Sequence, residues 1–244
     1  MEGNLLRSTT SYIKNDLLHH VPMFVALKIY HTMYARTFMV GSVNYPYYLN
    51  LYNSVFSERV IELPYVYTKY HDLIKRRKKI KVLEVGNVLS HYFNVSNEVG
   101  VSTYDVIDKY ERADNTINVD ITKFRSRVGY DIIISISTLE HIGFDEEEKD
   151  DKKPLKALNR MISLLNPEGV LIATMPLGYN PTIDQMLSKG KIGFDETHFI
   201  RRVSRTNNWE ETDLNTAKKY PYNLKYPCAN AVAFLVYKRK GRHI

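Results

Sequence analysis

Short apolar runs rich in β-branched residues alternate with helical or loop segments from residue 80 onward. The runs predict strands at residues 80–85, 103–107, 116–119, 130–136 and 170–175. Strands that alternate with helices are typical of a parallel sheet. The three isoleucines at 132–134 favour a strand that helices cover on both faces, because a strand with one solvated face alternates apolar and polar residues.

One long helix and a final strand complete this pattern. Apolar residues three or four apart predict the helix at 154–165, and the Asn-Pro-Glu-Gly sequence at 166–169 predicts its end. The run at 229–237 predicts a last strand, antiparallel and at the edge of the sheet. The chain is therefore predicted to have an α/β fold.

The first part of the chain has a different texture. Residues 1–40 show mixed helical periodicity, and residues 41–64 are rich in Tyr, Asn and Pro. Such a composition favours a cap or lid made of short pieces. We therefore predict an N-terminal helical and aromatic cap or lid at residues 1–75 and a sheet domain at residues 76–244.

The composition excludes several classes of protein. With 44% hydrophobic and 25% charged residues the chain resembles ordinary globular proteins rather than disordered or fibrous ones. The single cysteine, Cys228, excludes an intramolecular disulfide and a Cys-rich zinc site, and it fits a reducing, cytoplasmic setting. The apolar stretch at 21–43 is interrupted by Lys28, His31 and Arg36, so it does not reach the ~20 uncharged residues of a membrane span.

The positive charge is unevenly distributed. The formal net charge is +7, and five consecutive basic residues occupy positions 75–79. A second basic cluster lies in the tail at 238–242, and the rest of the chain is close to neutral. A nucleic-acid groove usually has basic residues spread over a face, which favours a solvated surface for the run at 75–79. Contact of this run with phosphates or an anionic lipid is the alternative.

Three acidic residues follow predicted strands in an order typical of a nucleotide site. Glu84 stands two residues before Gly86 at the end of the first strand, where a glycine permits a tight turn and close approach of a ligand. Asp108 follows the next strand, 22 residues after Gly86, which is the spacing of an acid that accepts hydrogen bonds from ribose hydroxyls. Asp120 ends the next short strand, where its carboxylate can accept from an adenine amino group.

The ordered set of motifs resembles the class I S-adenosylmethionine-dependent methyltransferases. The resemblance covers residues 80–178, and it is carried by Val-Leu-Glu-Val-Gly at 82–86, Val-Ile-Asp at 106–108, Asn-Val-Asp at 118–120, Tyr-Asp-Ile-Ile-Ile-Ser-Ile-Ser-Thr-Leu-Glu-His at 130–141 and Leu-Asn-Pro-Glu-Gly-Val-Leu at 165–171. It implies a Rossmann-like, mostly parallel sheet of seven strands with helices on both faces. It also implies S-adenosylmethionine as the cofactor of the domain at 76–244.

The resemblance assigns roles to individual residues. It places Glu84 at the methionine end of the cofactor, Asp108 at the ribose and Asp120 at the adenine, and it has the segment 137–141 line the methionine side. The implied cofactor-binding residues are Glu84, Gly86, Asn87, Asp108, Asp120 and Ser137. Where the family often has two further glycines, this chain has Val88 and Ser90, which disfavours a dinucleotide pyrophosphate.

The acceptor side has two pairs of candidate residues. Glu140 and His141 follow the fourth strand, and an imidazole that titrates near neutral pH can remove a proton from an acceptor hydroxyl. Tyr179 and Asn180 follow the fifth strand and can hydrogen-bond a polar acceptor. The alternatives are that His141 is structural and that the segment around Tyr179 is a plain turn. No metal is expected, since the acidic run at 145–151 lacks the spacing of a calcium loop.

The sequence favours methyl transfer to an oxygen, or with less support a nitrogen, of a small or glycan-like polar molecule. An RNA methyltransferase is the alternative enzyme, because the estimated isoelectric point is about 9.2. The Asn-Pro-Pro-Tyr type of motif that often accompanies methylation of base amines is replaced by Ser-Ile-Ser-Thr-Leu-Glu at 135–140. A cofactor-binding or scaffold protein without catalysis is the third hypothesis, because a fold does not fix a function.

Overall fold

An eight-stranded mixed sheet forms the centre of the protein. The structure is a computed structural model, and it describes residues 25–26, 28–29, 31–33, 37–49 and 57–241. A separate hairpin consists of β1 (Thr37–Val40) and β2 (Val43–Pro46). The strands of the large sheet are β3 (Ile80–Val85), β4 (Val101–Asp108), β5 (Thr116–Asn118), β6 (Tyr130–Ile136), β7 (Leu165–Pro176), β8 (Glu196–Arg202), β9 (Trp209–Thr212) and β10 (Ala231–Lys238).

The order of strands across the sheet is β5-β4-β3-β6-β7-β10-β8-β9. The first five are parallel, and β10 runs antiparallel to both of its neighbours, β7 and β8. The prediction of a mostly parallel, Rossmann-like sheet is therefore confirmed. Two details were wrong: the sheet has eight strands rather than seven, and the last strand lies inside the sheet rather than at its edge.

The burial of β10 explains its interior position. Residues 231–236 are all buried, which requires a strand on each side as well as cover on both faces. The strands β8 and β9 follow β10 in the sheet order and carry charged residues such as Glu196, Arg201 and Glu210. No apolar run therefore marked them as strands. They complete the sheet on the side away from β5.

Helices cover both faces of the sheet. The helices are α1 (Arg59–Lys75), α2 (Leu89–Tyr92), α3 (Lys153–Leu164), α4 (Pro181–Ser188) and α5 (Leu214–Ala217). Side chains alternate between the faces, so Val82 and Ile134 share a core with α1, whereas Leu83 and Ile133 share a core with α3 and α4. None of the described helices is long and apolar enough to cross a bilayer.

The helix α1 belongs to the core of the sheet although it lies in the predicted cap. Residues 60–66 are all buried, and the ring of Tyr65 stacks on Phe234 of β10 with centroids 4.3 Å apart. Because residues 60–66 are buried all round, this half of the helix shows no apolar stripe, and the sequence did not reveal it. Most of the remaining cap falls on residues 1–24, 34–36 and 50–56, which lie outside the described residues. The boundary at 75/76 stays a prediction.

Truncation of one core side chain tests this packing. Leu83 is completely buried between β3 and the helices α3 and α4. We expect Leu83→Ala to lower the free energy of unfolding by about 2 to 5 kcal/mol, because it removes buried methyl groups and leaves a cavity. Val99→Ala is the control, since Val99 is 96% exposed and its truncation should change stability by less than about 0.5 kcal/mol. If urea denaturation gave the same loss of stability for Leu83→Ala and Val99→Ala, the packing described here would be contradicted.

Candidate functional site

A cavity of about 600 Å³ opens at the carboxyl ends of β3, β4 and β6. The order of the parallel strands reverses between β3 and β6, and this is where α/β sheets bind their ligands. The volume lies within the range of small-molecule and cofactor pockets. The lining residues are Val85, Gly86, Asn87, Val88, Ile107, Asp108, Lys109, Tyr110, Glu111, Val119, Asp120, Ile121, Ser137, Thr138, His141, Ile142, Asp145 and Glu146.

The wall of the cavity next to β3 depends on Gly86. Its backbone has φ +85°, a conformation that favours glycine, and its N–H donates to the carbonyl oxygen of Ile107 over 2.8 Å. A β-carbon at this position would lie 2.1 Å from Oγ1 of Thr138, which follows β6. The glycine therefore allows the segments after β3 and β6 to approach each other.

Glu84 lies behind this wall and is only 1% exposed. Its Oε1 accepts hydrogen bonds from the N–H groups of Val88, at 2.7 Å, and Leu89, and its Oε2 accepts from the hydroxyl of Tyr104 over 2.8 Å. Burial raises the pKa of Glu84, and these hydrogen bonds oppose the rise. Glu84 does not line the cavity. It orders the turn after β3, and the role at the methionine end that the resemblance implies stays a prediction.

Asp108 ends β4 and lines the cavity. Its Oδ1 accepts from the N–H groups of Tyr110 and Glu111, each over 2.7 Å, and Oδ2 has no donor among the described residues. Asn87 also lines the cavity, and its amide donates to Glu111 Oε1 over 2.8 Å. One oxygen of Asp108 is thus fixed by the loop, and the other remains able to accept hydrogen bonds from a ligand.

Asp120 lines the far end of the cavity within a network of charges. Its Oδ2 lies 2.6 Å from the Nζ of Lys153, and Lys153 also pairs with Glu146. Burial acts to raise the pKa of Asp120, but hydrogen bonds from Lys153 and Thr122 outweigh it and lower the pKa overall. Lys109 binds Glu146 over 2.8 Å. The carboxylate of Asp120 is therefore ionised and largely engaged by the protein.

Ser137 connects the cavity to α1. It follows β6 with φ +39°, and its hydroxyl donates to Glu62 Oε1 over 2.6 Å. The hydroxyl of Thr174 in β7 donates to the same oxygen over 2.7 Å, and Arg59 binds the other oxygen over 2.5 Å. This buried carboxylate fixes the position of Ser137, which lines the cavity.

His141, Asp145 and Tyr179 form a hydrogen-bonded group at the rim. Nδ1 of His141 bonds Oδ2 of Asp145, and the hydroxyl of Tyr179 donates to the same oxygen over 2.6 Å. Burial acts to raise the pKa of Asp145, but the bonds from Tyr179 and His141 lower it overall. A neutral imidazole that donates from Nδ1 carries its lone pair on Nε2. The arrangement thus orients His141, which lines the cavity, and its Nε2 lies 3.7 Å from Oε1 of Glu140.

The two other acceptor-side candidates lie behind the cavity wall. Glu140 is 1% exposed, its Oε2 has no hydrogen-bond partner among the described residues, and burial raises its pKa well above the ordinary value. Asn180 is buried as the N-cap of α4, where it accepts from the N–H of Thr182 over 3.0 Å and donates to the carbonyl oxygen of Glu140 over 2.9 Å. Neither lines the cavity, and the catalytic role of Glu140 and the substrate-binding role of Asn180 stay predictions.

Several lining residues were not singled out from the sequence. They are Lys109, Tyr110, Glu111, Asp145 and Glu146, together with the aliphatic side chains. Asp145 stands four residues after His141, a spacing that brings side chains together in helical turns, and the backbone N–H of Asp145 bonds the carbonyl oxygen of His141. That spacing was the signal that could have identified the pair.

No protein-family model and no curated protein matches the sequence. Solved structures do align with it. They include the N-methyltransferase NodS from Bradyrhizobium japonicum WM9 in complex with S-adenosyl-L-homocysteine, at 13% identity and TM-score 0.46, covering 75% of this chain and 91% of that one. A SAM-dependent methyltransferase from Archaeoglobus fulgidus aligns at 12% identity and TM-score 0.45, covering 72% and 92%. The Rossmann-like fold of this chain follows from its own strand order.

Substitution of Gly86 tests the geometry of the cavity wall. We expect Gly86→Ala to lower the free energy of unfolding by about 1 to 3 kcal/mol, because the left-handed backbone and the contact with Thr138 are both unfavourable for a β-carbon. The double variant Gly86→Ala/Thr138→Ala should recover part of the loss. Gly193→Ala is the control, since a β-carbon there meets nothing within 4 Å. Stability of Gly86→Ala equal to that of the control would contradict this geometry.

Proposed function

We propose that this chain is an S-adenosylmethionine-dependent methyltransferase that acts on a polar, glycan-like or other small acceptor. The observation that carries the proposal is a cofactor-sized cavity at the strand-order reversal whose polar lining is dominated by carboxylates. Its acidic lining residues are Asp108, Glu111, Asp120, Asp145 and Glu146. The S-adenosylmethionine molecule carries positive charge on its sulfur and its amino group, so it suits an acidic cavity.

The lining residues suit the parts of this cofactor. Oδ2 of Asp108 is able to accept hydrogen bonds from ribose hydroxyls, and the aliphatic side chains of Ile107, Val119 and Ile121 offer an apolar surface for a base. The backbone at Gly86 and the segment that begins at Ser137 form the cavity wall on the side where the methionine part of the cofactor would lie. Asp120 contributes charge at the adenine end, while Lys153 holds its carboxylate in place.

His141 is the proposed general base. When bound, the cofactor supplies a methyl group on a positively charged sulfur. Nε2 of His141 would accept the proton of the acceptor hydroxyl while the oxygen takes the methyl group and the sulfur keeps the electron pair of the broken carbon–sulfur bond. Asp145 would stabilise the imidazolium that results. Tyr179 donates to Asp145 and so keeps the carboxylate oriented. In this proposal Asp145 and Tyr179 are positioning residues.

The charge at the rim supports an acceptor without phosphate groups. Asp145 and Glu146 lie at the entrance with His141, and Lys109 is already bound to Glu146. A phosphate near these carboxylates would be repelled. The RNA methyltransferase remains the alternative enzyme, and its support is the basic run at 75–79. A cytoplasmic location stays a prediction.

Replacement of Asp108 tests cofactor binding. We expect Asp108→Asn to weaken binding of S-adenosylmethionine about tenfold or more, because it removes a charged acceptor worth about 1.5 to 3 kcal/mol. The amide oxygen of Asn can still accept from the N–H groups of Tyr110 and Glu111, so the loop should persist. Asp114→Asn is the matched control on the same loop, since Asp114 is exposed and does not line the cavity. Calorimetry that gives equal affinities for both variants would refute the role of Asp108.

Replacement of His141 tests the chemical step. We expect His141→Ala to lower kcat by about 10² to 10⁴ with cofactor affinity within about threefold, and Asp145→Asn to lower kcat less and to change the pH profile. Methyl transfer to a panel of mono- and oligosaccharides provides the measurement.

A second histidine supplies the control for this experiment. His198→Ala removes an imidazole that also pairs with a carboxylate, Glu211 at 2.6 Å, but lies outside the cavity lining, so its turnover should be normal. A folded His141→Ala protein with near-normal turnover would exclude His141 as the base. Loss of turnover together with loss of cofactor binding would indicate a structural role instead.

A further inference from the structure

The two basic clusters of the sequence meet at one edge of the folded protein. The run at 75–79 joins α1 to the amino end of β3, and residues 238–240 lie at the carboxyl end of β10. Because β10 is antiparallel to β7, its carboxyl end lies at the same edge as the amino ends of the parallel strands. The clusters therefore share the edge opposite the cavity.

The amino end of β7, around Glu168, joins these clusters. The guanidinium of Arg77 donates to the carbonyl oxygen of Glu168 over 3.2 Å, and the N–H of Glu168 donates to the carbonyl oxygen of Arg239 over 2.9 Å. Most of the basic side chains are exposed to solvent, and Glu168 is an exposed acid among them. We call this surface the basic edge, and its cations are Lys75, Arg76, Arg77, Lys78, Lys79, Arg127, Lys238, Arg239 and Lys240.

Two exposed aliphatic side chains lie at the basic edge. Val99 is 96% exposed and precedes Gly100, where a β-carbon would lie 3.3 Å from the carbonyl oxygen of Arg77. Val128 is 42% exposed and precedes Gly129, which lies against Asn166 at the amino end of β7. The cations of the basic edge and these two valines offer no aromatic ring on which a nucleotide base would stack.

We propose that the basic edge docks this protein on an anionic lipid surface. Clusters of four to eight Lys and Arg residues bind acidic headgroups, and aliphatic side chains between them reach the boundary of the acyl region. This inference goes beyond the methyl transfer and does not depend on it.

The docking leaves the cavity accessible. The strand β3 has six residues, so about 20 Å separate its amino end at the basic edge from its carboxyl end at the cavity. A membrane at the basic edge therefore leaves the cavity open to the aqueous side. The acidic rim, which an anionic surface would repel, faces away from the headgroups.

Sedimentation with lipid vesicles tests the proposal. We expect the full chain to bind vesicles that contain 30% phosphatidylserine and not vesicles of pure phosphatidylcholine, with weaker binding as salt is raised. The variant Arg76→Ala/Lys78→Ala removes two exposed cations and should weaken binding about 25-fold, since each contributes about fivefold. The variant Val99→Ser should weaken it severalfold, because an aliphatic contact is lost.

The matched control removes the same charge from the other edge. Lys218 and Lys219 are exposed and precede Pro221, which lies against Gly178 near the cavity edge. The variant Lys218→Ala/Lys219→Ala should bind vesicles like the unaltered protein. Equal weakening in both double variants, or no binding of the unaltered protein at 0.1 M salt, would overturn the proposal. Tighter binding to an RNA oligonucleotide than to vesicles, unaffected by Val99→Ser, would overturn it in favour of RNA.

Discussion

The geometry of the cavity depends on one buried carboxylate, that of Glu62. It is inaccessible to solvent, and it accepts hydrogen bonds from Ser137 after β6, Thr174 in β7 and Arg59 in its own helix. A buried carboxylate without these donors would be strongly unfavourable, so the three partners have to stay in place. Through them α1 is tied to the carboxyl ends of two central strands. The left-handed conformation of Ser137, which positions Thr138 against Gly86, is maintained by these contacts.

Most of the parallel half of the sheet could be predicted, because its buried strands are short apolar runs in the sequence. The strands at 80–85 and 130–136 have the predicted bounds, since each is a short apolar run enclosed by core on both faces. The strand β8 was not predicted, because Glu196, Arg201 and Arg202 leave it without a continuous apolar run, and its pairing with β10 is not visible in the sequence. The helix α1 was missed for the opposite reason, since residues 60–66 are buried on every side.

The sequence located lining residues that stand at the ends of strands, but not those that stand in the turns between elements. Asp108 lines the cavity because the carboxyl end of β4 places it there, and spacing along the chain was enough to find it. Asp145 meets His141 only through the irregular turns after β6, which no strand pattern encodes. Asn180 looks like a polar contact in the sequence, but its side chain is used within the protein to cap α4. An Asn side chain that bonds nearby backbone groups in this way is not free to bond a ligand.

The turn after β3 shows why this cavity suits a positively charged ligand better than a dinucleotide. In a phosphate-binding loop, backbone N–H groups at the start of a helix point at the anion. Here the N–H groups of Val88, Leu89 and Ser90 all point at the carboxylate of Glu84. The carboxyl group of Glu84 thus engages the N–H groups that a pyrophosphate would need. It removes the one group of donors at this turn that would favour a phosphate.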